Sequence, residues 1–267
     1  MTAALLRHTF RSQRIRLIAV CVGLFGWGLL GPIIYAEFGS TVRDIFDAGL
    51  FPESFANFGG GDIFSLAGSI ALGFIHPIAL VLVSVFAVGF ATTAIAGERQ
   101  RGTLEVLLSR PLSRRTVYAT LLVAALVMVA IAITALLTGA LVASAVVGVI
   151  GEIDLAYVPL AWLNAMFMYG SFAAIGLAAS VSFDRLAPAL GVTLAILLAS
   201  YFLEILGSLW PDAAFLQPYS LFHYLETRDI LNGAADPWAF AILGAVGAAA
   251  IAWALVVFPR RDLAAPS

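Results

Sequence analysis

The sequence predicts an all-α polytopic membrane protein with six transmembrane helices, and three observations carry that prediction. Only 11% of its 267 residues are charged and 62% are hydrophobic, whereas an ordinary soluble domain carries about a quarter charged residues. Apolar stretches recur along the chain, each close to or above the roughly 20 residues that a helix needs to cross a bilayer core. The arginines gather at alternate connections between those stretches. No room is left for a large soluble domain, so residues 1–267 read as one transmembrane domain.

Residues 1–16 place Ala3, Leu6, Phe10 and Gln13 on one helical face, which Leu17 continues, with Arg7, Arg11 and Arg14 on another. That pattern suits an amphipathic helix lying along the inner leaflet, or a simple basic anchor before the first span. The apolar run that follows has no A-x-A-like cleavage site, so it is read as a retained helix. Uncharged length then sets six spans at about 17–36, 66–96, 117–149, 157–181, 188–208 and 238–258. The second and third exceed what a bilayer requires and must tilt or project beyond it. Gly23, Gly26, Gly28 and Gly31 in span one, and Gly244 and Gly247 in span six, form small faces. Such faces serve close packing inside the bundle, or a dimer or substrate surface.

Orientation follows from the arginines, because basic residues near span ends stay in the cytoplasm. With the N-terminus inside, the inner segments hold twelve of the fourteen, leaving Arg43 and Arg228 outside. Both termini are then cytoplasmic, as is the segment 97–115 between spans two and three. That segment, GERQRGTLEVLLSRPLSRR, interrupts two long uncharged flanks with seven charges. Gly97 is placed to end span two, Thr103 to cap a short helix that Pro111 stops, and Ser113 to cap the next long helix. Leu104, Leu107 and Leu108 share a face at i, i+3, i+4 spacing. The pattern suits either a protein contact or an arginine cluster held on anionic lipid headgroups.

Several chemistries are excluded. All basic residues are arginine, so neither a G-x-x-x-x-G-K-[ST] phosphate loop nor a Schiff-base lysine exists. His8, His76 and His223 lack a metal-ligand spacing, Cys21 stands alone, and no hydrolase motif is present. A basic loop with few aromatics leaves no nucleic-acid footprint. Two candidates lie within spans. Glu204 is the acid inside an apolar stretch, either on a transport path or hydrated near the outer interface. His76, before Pro77, either kinks span two and presents a polar ring to a pathway, or is satisfied by a neighbouring carbonyl.

The run ERQRGTLEVLLSRPLSR resembles the signature of permease subunits of ABC-2 type transporters, in a branch like that of the nitrous-oxide-reductase maturation and gliding permeases. The short turn SFDRLAPAL and the stretch QPYSLFHYLETRDILNG extend the likeness over nearly the whole chain. Where many relatives carry a lysine soon after the motif, this chain reads Ala119, Thr120, Leu121. The resemblance implies that 97–115 holds a coupling helix docking on a separate ATPase. Its contact residues would be Glu98, Arg101, Gly102, Thr103, Leu104, Glu105, Leu107, Leu108, Arg110, Pro111 and Arg114. ATP and Mg would bind that partner, with no cofactor on this chain. It further implies two ATPase copies, a second permease copy, a prokaryotic plasma membrane and an export direction. Residues 209–237 would form a re-entrant outer segment, with Tyr219, Phe222 and His223 near a gate. Two other readings stay open: a secondary transporter driven by an ion gradient, and a membrane scaffold that docks a cytoplasmic partner.

Overall fold

The computed structural model describes residues 3–50, 64–104 and 112–261. These form α1 (Ala3–Asp47), α2 (Leu66–Ile75), α3 (Pro77–Ser84), α4 (Arg114–Val146), α5 (Val158–Ser182), α6 (Leu186–Leu209), α7 (Thr227–Leu231) and α8 (Pro237–Arg260). Among the described residues, α1, α4, α5, α6 and α8 are long and apolar enough to cross a membrane. The helix pair 66–90, bent by 48° at its break, makes a sixth when counted as one span.

The first helix departs from the sequence expectation. α1 runs 45 residues without a break, about 68 Å at 1.5 Å per residue, so no turn separates an interfacial segment from span one. Leu6, Phe10 and Leu17 pack against the core, and the stripe continues directly into buried Val20 and Leu24. The apolar face of the N-terminal segment therefore meets protein. No helix-breaking residue stands between Arg16 and Val20 to interrupt it.

α1 and α4 meet backbone to backbone. A Cβ on Gly28 would lie 2.2 Å from the Leu136 carbonyl oxygen, and one on Gly139 would lie 2.2 Å from that of Phe25. Of the two roles open to the small faces, packing within the bundle holds at Gly28 and at Gly31, whose Cβ would lie 2.9 Å from the Ser69 carbonyl oxygen, while Gly26 faces open space. Small residues are what permit such approach in lipid, where tails are as apolar as side chains.

The bend in span two shows where each backbone group goes. Pro77 has no N–H to give the Gly73 carbonyl four residues earlier, and that carbonyl accepts instead from Trp27 Nε1 at 2.9 Å. Ile78 turns its N–H to His76 Nδ1 at 3.2 Å, leaving the Phe74 carbonyl to accept from the Tyr169 hydroxyl at 2.7 Å. His76 thus kinks the span and caps α3. Its ring is satisfied by a backbone N–H and by stacking 4.4 Å from Trp27, not by a neighbouring carbonyl.

Beyond α3 the span widens into two π-helical stretches, Val85–Phe90 and Thr93–Gly97. Ser180 on α5 collects the groups this widening frees: its Oγ accepts from Ile95 and Ala96 N–H and donates to the Thr92 carbonyl at 2.7 Å. Gly97 does not end the span. Its φ of −67° is helical, and the helix continues through Glu98–Gln100. The stop comes at Gly102, whose φ of +71° is the left-handed conformation glycine adopts freely. Ser113 caps α4 as its position suggested, accepting from Thr116 N–H.

Candidate functional site

Two ends of the bundle concentrate polar chemistry: the arginine-rich end, where 97–104 leaves span two and Ser113 begins α4, and the far end, built around Pro211–Leu231. At the arginine-rich end, Asp184 sits in the turn between α5 and α6. Its Oδ1 pairs with Arg99, at the base of the loop, and with Arg261, just past α8. Arg261 also donates to the Val181 carbonyl at 2.8 Å. On the other side of the loop, Arg114 Nη1 donates to the carbonyls of Phe258, Pro259 and Arg261, the last at 2.6 Å. These are carbonyls at the end of α8, where a cation is favoured. Gln100 Oε1 accepts from Leu186 N–H at 2.9 Å, supplying a cap to the first turn of α6. Both ends of the loop are therefore fastened to the same helix terminus.

The remaining loop residues behave differently from one another. Glu98 pairs with Arg101, and the Thr103 hydroxyl turns back to the Glu98 carbonyl at 3.1 Å, closing the turn at Gly102. Glu98 and Arg101, with His8, Ser12 and Arg16 of α1, line a crevice of about 420 Å³. Leu104 is only 2% exposed and packs into the chain's own core. The expectation that it lies open to a partner's groove is thus corrected: the bundle takes it first. Arg114 is likewise engaged within the chain. Glu105, Leu107, Leu108, Arg110 and Pro111 lie outside the described residues.

At the far end, Pro211–Tyr219 and Phe222–Tyr224 are 3₁₀ turns laid against α5 and α6. Asn164 of α5 holds them from both sides, donating to the Tyr224 carbonyl at 2.9 Å and accepting from Glu226 N–H at 3.0 Å. Ser200 of α6 accepts from Leu221 N–H, and Ser220 donates to the Ser200 carbonyl. Glu204 is buried here, 6% exposed, rather than hydrated at an interface. Its Oε1 accepts from Gln217 Nε2 at 3.0 Å, and Oε2 lies 3.7 Å from His223 Nδ1. Burial holds the His223 imidazole below its ordinary range, so at neutral pH this contact is not an ion pair. Burial also raises Glu226, against the opposing bond from Asp236 N–H.

The structure brings Glu204 and His223 together, buries Phe222 between Phe172 and Tyr201, and leaves Tyr219 77% exposed. His76 lies elsewhere, beside Trp27 in a groove along α1. Sequence reasoning missed Arg99, Gln100, Asp184, Asn164 and Arg261. Asp184 had a signal: it is an acid in a short turn among arginine-bearing connections. Among the described residues, no three His, Cys, Asp or Glu side chains gather as a metal would require.

The profile of the ABC-2 family transporter proteins matches residues 6–263, nearly the whole chain. The chain belongs to the ABC-2 transporter family. This ABC-2 protein is a multi-pass membrane component of an ABC transporter, a permease subunit and not itself the catalyst. Membership implies an ATPase partner. No curated protein matches its sequence.

Proposed function

We propose that this permease is the membrane half of an ATP-driven exporter in a prokaryotic plasma membrane, worked by a separate ATPase that docks from the cytoplasm on residues 97–115. Two copies of the chain, or one with a similar partner, pair with two ATPase subunits, as the likeness to the nitrous-oxide-reductase maturation and gliding permeases suggests. The carrying observation is the double fastening of the loop. Through Arg99–Asp184–Arg261, Arg114 and Gln100, a displacement of the loop bears at once on α5, α6 and α8. A loop that only joined two spans would need no such ties. Glu98 and Arg101 set the rim of the docking surface, and the Gly102 turn redirects the chain as it leaves span two.

The test separates docking from transmission. Leu107→Asp should prevent co-purification of the ATPase while the permease still inserts. Asp184→Asn should keep the ATPase bound and hydrolysing, yet lose the ATP-dependent change in distance between spin labels at Val146 and Leu209. Normal stoichiometry in the first variant, or labelling from outside intact cells of a cysteine at Ser109 in a Cys21→Ser background, would overturn the reading. Glu204 supports a second reading, ion coupling, because it is a buried carboxyl facing a histidine. Transport in vesicles holding a pH gradient without ATP would favour it.

A further inference from the structure

A groove runs along α1 between α2 and α4. Its apolar part encloses about 280 Å³ and is walled by residues such as Trp27, Leu30, Ile34, Ile70, Leu72 and Phe74. Tyr35, Gly39 and Phe64 line both this part and an adjoining polar pocket of about 350 Å³, which holds Arg43, Asp44 and Glu152. From Trp27 to Arg43 the helix rises about 24 Å, more than the roughly 15 Å hydrocarbon depth of one leaflet. The shape is a long apolar slot with a charged mouth.

The mouth has donors and acceptors to spare. Arg43 stacks its guanidinium 5.4 Å over the Phe64 ring and reaches the Phe64 carbonyl only at 3.5 Å, so among the described residues most of its N–H groups are left for a ligand. Glu152 lines the pocket and accepts from the Tyr35 hydroxyl through Oε2 at 2.6 Å. One guanidinium and two carboxylates make a site for a group with a phosphate and an ammonium together, and oppose a purely anionic one.

We infer that this groove binds one zwitterionic phospholipid, an acyl chain in the slot, its phosphate on Arg43 and its ammonium by Glu152 and Asp44. The mouth lies at the end opposite the arginine-rich loop, the outer leaflet in the orientation proposed above. Lipid tails gain little by leaving other tails, so selectivity comes from the headgroup and from the shape of the slot. A second copy of the chain is a poorer occupant. A helix is about 10 Å across, and a slot of about 280 Å³ does not admit one. The inference does not depend on the ATPase reading.

Native mass spectrometry of the full chain, released from nanodiscs of equal phosphatidylethanolamine and phosphatidylglycerol, tests it. Wild type should retain one phosphatidylethanolamine per chain in preference to phosphatidylglycerol. Glu152→Gln should cut that preference by about fivefold, and Arg43→Gln should cut the retention of both lipids by about fivefold, since both carry the phosphate. Gly73→Leu should fill the slot and expel the lipid, since a Cβ there meets nothing within 4 Å. Gly39→Leu, whose Cβ makes only ordinary contact with Tyr35 at 3.7 Å, gives a second filling variant. Equal retention of both lipids by wild type, no retained lipid, or full retention in both filling variants overturns the inference.

Discussion

The two ends of the bundle are held by opposite kinds of bond. At the arginine-rich end, guanidinium groups meet a carboxylate and helix-terminal carbonyls, and Asp184 is 54% exposed. At the far end, Asn164, Ser200 and Ser220 join neutral groups that are buried. Charged contacts in reach of water exchange for hydration at little net cost, while a buried polar group left without its partner keeps the whole desolvation penalty. One end is built to shift and re-form, and the other to stay closed.

The largest expected effect is at the far end. Asn164→Ala strands the Tyr224 carbonyl and the Glu226 N–H, at about 1–3 kcal/mol for each group left unpaired. Unfolding in detergent, with hydrogen exchange over 211–231, should show that loss concentrated there. Asp184→Asn should lower stability by only about 1 kcal/mol, even though it severs two arginine contacts at once. A loss larger than that of Asn164→Ala would invert the comparison.

Salt gives a smaller effect with a sharper signature. Raising ionic strength from about 0.1 to 1 M shortens the screening length from about 10 to 3 Å. Exchange should then rise over Phe183–Leu186 and Phe258–Arg261 but not over Leu221–Glu226. Equal change at both ends would dissolve the distinction.

The smallest effect is on pH. His223 titrates below its ordinary value when folded, so the stability given by its neutral form is complete above about pH 6.5 and is lost as pH falls toward the folded value. Glu226 runs the other way. Its raised value means its contribution is complete below about pH 4.5 and fades as pH climbs through the folded value. Corrected exchange protection of 211–224 in wild type, compared with His223→Gln, should therefore diverge as pH falls below about 6.5, with wild type losing more. Parallel profiles would mean that the His223 ring, 40% exposed, stays hydrated enough to escape the effect of burial.

Much of the fold was legible in residue order. Pro77 after His76 announced the bend, because proline removes a donor wherever it falls, and Ser113 announced the start of α4. The continuity of α1 was not: Arg7, Arg11 and Arg14 suggested a separate interfacial helix, whereas the stripe through Leu6, Phe10 and Leu17 runs on into Val20 and Leu24 against the core. Other features misled. Gly97 looked like a helix end, but α5 packs Ser180 against the span there and supplies hydrogen bonds that carry the helix onward. Leu104 looked like a surface leucine, because an amphipathic turn has an apolar face without saying which neighbour covers it.

The sequence by itself determined the all-helical membrane class, the order and approximate bounds of the spans, the bend and the loop with its charges, since hydropathy, period and proline act over a few neighbouring residues. Only the tertiary structure decided that Asp184 joins Arg99 to Arg261, that Arg114 closes on the end of α8, and that Glu204 meets Gln217 and His223. Arg114 and Arg261 are 147 residues apart, and Asp184 and Arg261 are 77. A charge seeks the nearest complement in space, and at such separations only the packing of the helices determines which complement that is.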